Sequence, residues 1–316
     1  MRIFRHFEST PREARGGVVA LGNFDGVHRG HRAVIEEARG VARRLGAPLQ
    51  VMTFEPHPRA FFKPEAPPFR LTPFRIKARD IEALGVDHLF MQHFDERFAA
   101  LSAETFVDDV LVAGLGVRHV VTGYDYVFGS GRRGTVAFLD EAAQARGFGF
   151  TCVPPAGEEH GPVWSSSRIR EALEAGRPGD AARMLGHFWE IEGRVRRGDA
   201  RGHQLGFPTA NLGLDDYLRP AGGVYAVRAG VDHGPETTWH DGVANLGTRP
   251  TVDGAGEPVL EVHLFDTGTD LYGAHLRVQF ITHLRPEKRF SGLEELKATI
   301  AADCEMARRV LAETAR

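Results

Sequence analysis

Apolar positions in the first half of the chain fall into short runs that alternate with segments of helical periodicity. The apolar runs cover residues 18–21, 49–54, 88–91 and 119–122, and the helical segments cover residues 32–38, 75–84 and 103–112. Short apolar runs are typical of strands buried on both faces, and strands separated by helices favour parallel pairing through right-handed crossovers. We therefore predict an α/β fold with an open, doubly wound parallel sheet, which binds ligands at the carboxyl ends of its strands.

In the second half, apolar and polar residues alternate one by one. Segments with this pattern cover residues 189–195, 223–229, 241–246 and 260–265. One-by-one alternation predicts antiparallel strands with one buried face, and a small β-barrel is the natural way to close such a sheet. We expect a final helix, from about residue 293 to 312, to pack on the outside of the barrel.

The change of pattern follows a helical stretch at residues 170–185, which residues 176–179 (Gly-Arg-Pro-Gly) interrupt. A chain of 316 residues is longer than most single domains, and 42% hydrophobic with 26% charged residues is ordinary globular usage. We predict two domains, covering residues 1–185 and 186–316.

Charge, hydropathy and cysteine content restrict the classes of partner. The net charge of −3 argues against non-specific nucleic-acid binding, which usually relies on a basic excess. No apolar stretch approaches the roughly 18 residues that cross a bilayer. Cys152 and Cys304 are far apart and form no disulfide framework, which favours a reducing compartment. We expect a soluble, cytoplasmic protein that binds neither nucleic acid nor membrane; its self-association as a homo-oligomer is left open.

The most informative segment is residues 22–31, Gly-Asn-Phe-Asp-Gly-Val-His-Arg-Gly-His, which follows the predicted strand at 18–21. Where a strand turns into a helix, free backbone N–H groups and the positive end of the helix dipole attract phosphate. His28 and His31 are about one helical turn apart, so both imidazoles can face one anion. The alternatives are a metal site, for which no third Cys or His ligand lies nearby, and a glycine-rich turn with only a structural role.

Two further loops follow predicted strands at the same edge of the sheet. Residues 53–59, Thr-Phe-Glu-Pro-His-Pro-Arg, contain two prolines that fix an extended turn able to wall a pocket. Residues 123–134 place Asp125 and three aromatic residues before a glycine–arginine segment. Aromatic rings stack on planar ligands and arginine binds phosphate, but a surface loop with a solvated basic tip has the same composition.

Three consecutive serines and an arginine, Ser165 to Arg168, stand at the start of a predicted helix. Serines at a helix start usually act as caps and nothing more. Capping does not exclude ligand binding, because hydroxyl groups, N-terminal amides and Arg168 together suit a polyphosphate.

In the second half, residues 205–212 read Leu-Gly-Phe-Pro-Thr-Ala-Asn-Leu. The Gly-Phe-Pro turn is rigid and presents the Thr209 hydroxyl and the Asn211 amide two residues apart. This spacing places both on one side of an extended segment, where they can share Mg²⁺ with nucleotide phosphates. A turn without any ligand is the alternative.

These segments carry a resemblance that covers nearly the whole chain. Residues 22–31 resemble the HxGH signature of the nucleotidyltransferase superfamily, in which the histidines contact ATP phosphates. The full set of motifs closely resembles the bacterial bifunctional riboflavin kinase/FAD synthetase family. The matching motifs are residues 22–31, Thr-Phe-Glu-Pro-His-Pro at 53–58, Ser-Ser-Ser-Arg-Ile-Arg at 165–170, Leu-Gly-Phe-Pro-Thr-Ala-Asn at 205–211, Gly-Val-Ala-Asn-Leu-Gly-Thr-Arg-Pro-Thr at 242–251 and Glu-Val-His-Leu at 261–264.

The resemblance implies that residues 186–316 form a riboflavin kinase, which phosphorylates riboflavin to FMN with ATP. Glu261 matches the general base of the family, and Thr209 and Asn211 match its Mg²⁺ ligands. It also implies that residues 1–185 form a Rossmann-like nucleotidyltransferase domain, which adenylylates FMN with ATP to FAD and pyrophosphate.

In the adenylyltransferase, the resemblance assigns stabilisation of phosphate charge to His28, His31, Ser166 and Arg168. It assigns a phosphate contact to Asn23. The residues that it assigns to substrate and cofactor binding are Gly22, Asn23, Phe24, Asp25, Phe54, Asp125, Phe128, Ser165, Ser166, Ser167, Gly206, Phe207, Pro208, Thr209 and Asn211.

Some positions depart from the family pattern. His203 stands where arginine is usual, Ser167 replaces threonine, and Tyr126-Val127 replaces the common Phe-Arg. The loss of an arginine at 127 removes one phosphate or flavin contact. An alternative function is therefore a riboflavin kinase with a weak or inactive adenylyltransferase module, and a third is a flavin-binding protein without turnover.

Overall fold

A computed structural model describes residues 1–158, 161–197, 206–249, 257–267 and 271–314 of the chain. The chain divides into two compact units. The N-terminal unit comprises Met1–Pro67 and Thr72–Ser166, and the C-terminal unit comprises Pro68–Leu71 and Ser167–Arg316. Over the described ranges, every helix is too short or too polar to cross a membrane.

The N-terminal unit contains a six-stranded sheet in which every neighbouring pair is parallel. Its strands are β1 (Arg2–Phe4), β2 (Val18–Leu21), β3 (Leu49–Glu55), β4 (His88–His93), β5 (His119–Gly123) and β6 (Gly149–Val153). The order across the sheet is β1-β4-β3-β2-β5-β6. The chain therefore builds outward from β2 first on one side and then on the other, which confirms the predicted doubly wound sheet.

Helices and short helical turns connect these strands. They are α1 (Arg29–Leu45), α2 (Pro58–Phe62), α3 (Phe74–Ala83), α4 (Glu96–Ala99), α5 (Ala103–Thr105) with a π-helical continuation (Phe106–Leu115), α6 (Val136–Arg146), and 3-10 turns at Phe7–Ser9, Arg12–Ala14 and Ser130–Arg132. Alternate residues of β2 enter two hydrophobic cores, Val18 and Ala20 on the face of α1, and Val19 and Leu21 on the face of the π-helix. β2 is thus buried on both faces, as its unbroken apolar run predicts.

The C-terminal unit contains a six-stranded antiparallel sheet in the order β7-β12-β9-β10-β11-β8. Its strands are β7 (Glu190–Arg194), β8 (Ala210–Gly213), β9 (Gly223–Val231), β10 (His240–Arg249), β11 (Glu257–Leu264) and β12 (His275–Arg285). The two edge strands approach each other where the Arg196 N–H donates to the Asn211 carbonyl over 2.8 Å. The sheet is therefore a nearly closed barrel, as predicted.

Two helices precede the barrel strands in sequence: α7 (Ser166–Glu174), which begins at the last residue of the N-terminal unit, and α8 (Pro178–Leu185). A 3-10 turn covers Gly234–Glu236, between β9 and β10. The last helix, α9 (Leu293–Glu313), follows β12. The break predicted at 176–179 separates α7 from α8. On α9, Cys304, Ala307 and Leu311 form a hydrophobic core with Val224 and Ile281 of the sheet. The predicted final helix therefore packs against the barrel.

Candidate functional sites

The segment at residues 22–31 lies at the carboxyl end of β2, between β3 and β5. The order of the sheet reverses at this point, since β3 follows β2 on one side and β5 is added on the other. In open α/β sheets, ligands bind in the crevice at such a reversal. The Asn23 carbonyl accepts a hydrogen bond from Thr53 Oγ1 (2.9 Å), which ties the segment to β3.

The backbone of this turn is strained, because two residues other than glycine adopt positive φ angles. Phe24 has φ 49° and Val27 has φ 39°, and the left-handed region is especially unfavourable for a β-branched residue. Strain of this kind costs on the order of 1–3 kcal/mol per residue and persists only where the surroundings hold it in place.

Asp25 supplies much of that support. Its side chain is buried, and its Oδ1 accepts the Thr72 backbone N–H over 3.0 Å, while Thr72 Oγ1 accepts the Gly26 N–H over 2.8 Å. The Asp25 carbonyl also accepts a hydrogen bond from Ser166 Oγ (2.8 Å). Asp25 therefore connects the turn to two segments that are distant in sequence.

We expect Asp25→Ala to lower the free energy of unfolding by about 1–3 kcal/mol, because it leaves the buried Thr72 N–H without this acceptor. Asp25→Asn, which keeps an oxygen at the same place, should lose less. The measurement is chemical denaturation of both variants followed by a probe of the N-terminal unit. Equal stability of Asp25→Ala and the original chain would contradict this structural role.

The two histidines of the turn stack on each other at the start of α1. Their ring centroids are 3.6 Å apart, with an interplanar angle of 19°. His28 is buried and caps the helix, since its Nδ1 accepts the His31 backbone N–H over 3.3 Å. Because Nδ1 is an acceptor, the neutral His28 ring carries its proton on Nε2, which is then a hydrogen-bond donor.

Gly30 leaves room for this arrangement. A Cβ atom at position 30 would lie 3.0 Å from His28 Cε1, 3.1 Å from His28 Nδ1 and 3.2 Å from the Trp164 carbonyl oxygen. The Arg29 guanidinium lies over the Trp164 ring, 5.5 Å from its centroid. Sequence reasoning did not identify Trp164, although it stands directly before the three serines.

Phe24 is almost fully buried behind the histidines. Its ring lies edge-on to His31 with a centroid distance of 5.2 Å, and a Cβ atom at Gly22 would be only 3.1 Å from it. Asn23, in contrast, is exposed. The turn thus supports His31 from one side with an apolar ring and presents Asn23 to solvent.

The serine motif coincides with the start of α7. Ser166 is the first residue of the helix and bonds to the Asp25 carbonyl, while Ser165 is half-buried and Ser167 is exposed. Arg168 lies on the first turn of α7 and is half-buried. The predicted helix start is therefore confirmed, and the Ser166 hydroxyl binds a backbone carbonyl within the N-terminal unit.

The loop after β5 contains both core and surface residues. Asp125 is exposed, whereas Phe128 belongs to a hydrophobic core with Phe54, and its ring centroid lies 5.0 Å from that of Phe106. Burial raises the pKa of the nearby Cys152 thiol, and the negative charge of Asp125 raises it further. Because they belong to this hydrophobic core, Phe54 and Phe128 contribute to the packing that supports this edge of the sheet.

In the C-terminal unit, polar side chains form a row across three adjacent strands. Glu261 of β11 pairs directly with Asn211 of β8 on one side and with Asn245 of β10 on the other. Directly opposed residues have Cβ atoms about 4.5–5.5 Å apart on one face of a sheet. The structure thus brings together Glu261 and Asn211, which the sequence singled out separately. It adds Asn245, which lies in the motif at 242–251 but was not singled out.

A histidine holds the Gly-Phe-Pro-Thr segment next to this row. His263 Nδ1 donates to the Pro208 carbonyl oxygen over 2.8 Å, and the Phe207 ring lies edge-on to His263 with a centroid distance of 5.6 Å. Gly206 has φ +88°, a conformation that favours glycine. The Asn211 side-chain amide donates to the Thr209 carbonyl over 3.4 Å. Leu205 and His203, and residues 250–251 at the end of the motif at 242–251, lie outside the described residues.

The doubly wound sheet carries paired histidines at its reversal point, where such sheets bind ligands. The barrel carries a carboxylate between two amides. Together these features are typical of a nucleotide-binding enzyme with two units. The family model described as FAD synthetase matches residues 10–168, and the model described as riboflavin kinase matches residues 185–311. The chain belongs to the family of bifunctional riboflavin kinases/FMN adenylyltransferases.

Individual relatives extend this match over the whole chain. The bifunctional riboflavin kinase/FMN adenylyltransferase of Escherichia coli K12 is 43% identical over 304 residues, which cover 96% of this chain and 95% of that protein. The protein of the same name from Pseudomonas fluorescens is 44% identical over 315 residues, with coverage of 100% and 99%. A solved structure of a Streptococcus pneumoniae protein named as a macrolide-efflux protein is 31% identical, with a TM-score of 0.85 and coverage of 97% and 98%.

Proposed function

We propose that this chain catalyses two successive steps of flavin-cofactor synthesis. Residues 186–316 phosphorylate riboflavin to FMN, and residues 1–185 adenylylate FMN to FAD, with ATP as co-substrate of both. The observation that carries the proposal is that each half of the chain matches the family model of one activity.

In the kinase step, the terminal ribityl hydroxyl oxygen of riboflavin attacks the γ-phosphorus of ATP. The new O–P bond forms as the bond to the β-phosphate oxygen breaks, and ADP leaves. A neutral alcohol must lose its proton in this step, so a nearby carboxylate accelerates it by accepting that proton. Glu261 is the proposed base, and its place between Asn211 and Asn245 supports this role.

Thr209 and Asn211 suit Mg²⁺, because hydroxyl and amide oxygens are hard ligands that this ion accepts. Asn211 is buried directly beside Glu261, and the bonds from His263 and Asn211 to the 208–209 backbone hold both residues in place. When bound there, Mg²⁺ offsets charge on the transferring phosphoryl group. Gly206, Phe207 and Pro208 form the turn that carries these ligands.

In the adenylyl transfer, a phosphate oxygen of FMN attacks the α-phosphorus of ATP, and pyrophosphate leaves. The nucleophile is already an anion, so no proton acceptor is required. Catalysis then depends on orientation and on donors directed at the developing phosphate charge. His28 Nε2, which the helix cap leaves as the donor nitrogen of the neutral ring, is well suited to this task. His31, Ser166 and Arg168 are the other proposed donors.

The remaining motif residues divide into contact and support roles. We assign Gly22, Asn23, Ser165 and Ser167 to nucleotide contacts, and Asp125 to placing nucleotide and flavin. Asp25 and Phe24 fix the turn, as their burial and contacts support. Phe54 and Phe128 belong to the adjoining hydrophobic core, and we assign them to the binding of nucleotide or flavin.

We expect Gly30→Ala to slow FAD formation by about 10–100-fold, because the added methyl group displaces the His28 ring from its position. Alanine stabilises a helix relative to glycine, which offsets part of the capping that a displaced His28 ring no longer supplies. Gly40→Ala is the matched control in the same helix, since a Cβ atom there meets only Arg44 Nη1 at 3.6 Å. Equal rates of FAD formation in the two variants would contradict the account.

A kinase with an inactive adenylyltransferase module is not favoured. The departures at Val127 and Ser167 leave His28, His31, Ser166 and Arg168 unchanged, and serine at 167 keeps a hydroxyl. A flavin-binding protein without turnover is disfavoured by the retention of Glu261, Thr209 and Asn211. A cytoplasmic location is proposed on the two free cysteines, and the net charge of −3 gives no sign of a nucleic-acid partner.

The proposal is tested by a chromatographic time course with riboflavin, excess ATP and Mg²⁺. FMN should rise first and then convert to FAD. FMN that accumulates without FAD would support the alternative with an inactive first half. If neither product forms, both proposed activities are wrong.

A further inference from the structure

Three metal-ligating side chains lie together in the C-terminal unit, outside the row that contains Glu261. They are Glu192 of β7, Asp232 directly after β9, and His275, the first residue of β12. One ligand atom from each lies within 4.8 Å of the other two. The carboxylates are shielded from solvent, with side-chain exposures of 5% for Glu192 and 7% for Asp232.

The strands of the barrel preorganise this group. In the β7–β12 pairing, Glu192 lies opposite Arg277, which places it diagonally across from His275 on the same face. The Asp232 N–H donates to the His275 carbonyl over 2.8 Å, and the Gly234 N–H donates to Asp232 Oδ1 over 3.0 Å. Backbone pairing and a local turn therefore fix the positions of all three residues.

The His275 ring points its Nε2 atom into the group. This atom is buried and has no hydrogen-bond partner within the described parts of the chain. Its distance to Glu192 Oε1 is 3.6 Å, which is too long for a hydrogen bond. A buried ring nitrogen that faces a carboxylate without bonding to it is an independent sign that another atom belongs between them.

We propose that Glu192, Asp232 and His275 form a binding site for a divalent transition-metal ion of the Zn²⁺ type. In a tetrahedral zinc site with bonds of about 2.0–2.1 Å, ligand atoms are about 3.4 Å apart, which is close to the observed 3.6 Å between His275 and Glu192. Imidazole together with carboxylates suits zinc, cobalt or manganese better than Mg²⁺, which prefers oxygen ligands and water. Three protein ligands leave a fourth position for water.

The neighbouring positive charge of Arg277 does not occupy this site. The Arg277 guanidinium approaches Asp232, with Nη1 3.9 Å from Oδ1, but its Nε and Nη2 donate to both oxygens of Glu190 over 2.7 and 3.0 Å. The Trp239 ring lies under the same guanidinium, 4.9 Å from it. The Nη1 atom itself donates to the Gly234 carbonyl over 3.1 Å and to Thr237 Oγ1 over 3.3 Å, so Arg277 is held by contacts other than Asp232. The bound ion would link β7 to the end of β9 and the start of β12.

The test uses the full chain, stripped of metal with a chelator and dialysed into excess Mg²⁺ without nucleotide. Titration with Co²⁺ and Zn²⁺ should reveal one ion per chain, read from the visible absorption of Co²⁺ and from calorimetry with Zn²⁺. His275→Gln and Glu192→Gln should each weaken metal binding at least about tenfold. Substitution of a residue that only hydrogen-bonds to a metal ligand already costs that much, and these two residues are the ligands themselves. His240→Gln is the matched control, since His240, the first residue of β10, does not belong to the group of three ligands.

Thermal unfolding supplies a second measurement. Zn²⁺ should raise the unfolding midpoint of the original chain and of His240→Gln, because an ion that binds only the folded state stabilises it. The rise should disappear in His275→Gln and Glu192→Gln. If one of these variants does not fold in chelator, the other decides the result. Absence of binding above the Mg²⁺ background, or equal affinity in all variants, would overturn the proposed metal site.

Discussion

Glu261→Gln should reduce riboflavin phosphorylation by about 10²–10⁴-fold, the usual contribution of a positioned general base. Glutamine keeps the size of the side chain and remains able to hydrogen-bond beside Asn211 and Asn245. It cannot accept the proton of the ribityl hydroxyl. The measurement is the rate of FMN formation from riboflavin at saturating ATP.

Conversion of FMN to FAD by the same variant serves as an internal control and should be unchanged. Glu294→Gln offers a further control, because the Glu294 side chain is 91% exposed at the start of α9. If Glu261→Gln forms FMN at the rate of the original chain, Glu261 is not the base. A parallel loss of FAD formation would instead indicate a damaged fold.

His28→Asn should reduce FAD formation by about 10²–10³-fold, the effect of removing one donor to a developing phosphate charge. Asparagine is among the best N-cap residues, so it replaces Nδ1 as acceptor of the His31 N–H. What it removes is the ring and its Nε2 donor. The variant therefore separates catalysis from capping, and the measurement is the rate of pyrophosphate release with FMN and ATP.

Two comparisons sharpen this result. His28→Ala should lose the same activity and also about 0.5–2 kcal/mol of stability, because alanine cannot cap the helix. His31→Ala should stop FAD formation while FMN formation continues. A His28→Asn protein that makes FAD normally would show that the histidine acts only as a cap.

The local patterns predicted most of the elements that border both sites. The run at 18–21 coincides with β2, and the run at 119–122 falls within β5, because strands buried on both faces leave an unbroken apolar signature. β12 was not predicted, although Leu276, Val278 and Phe280 alternate. Register shifts after Phe280 and after His283 interrupt its pairing and its period of two.

The candidate residues themselves could be listed from the sequence, but their partners could not. The bond from Thr72 to Asp25 spans 47 positions, and the bond from His263 to Pro208 spans 55. Such pairs arise from tertiary folding and leave no local period or turn signature. For the same reason, the motif did not show that the Asp25 carboxylate accepts the Thr72 N–H, and the assignment of Asp25 to ligand binding stays a prediction.

In the proposed function, one chain carries two independent catalytic sites. The most direct test follows riboflavin, FMN and FAD over time with Glu261→Gln alone, His28→Asn alone, and an equal mixture of the two. The first variant should form FMN at least about 10²-fold more slowly, the second should accumulate FMN, and the mixture should make FAD, because each variant supplies the step that the other lacks. A mixture that makes no FAD, although each variant retains its own half-reaction, would contradict two independent sites.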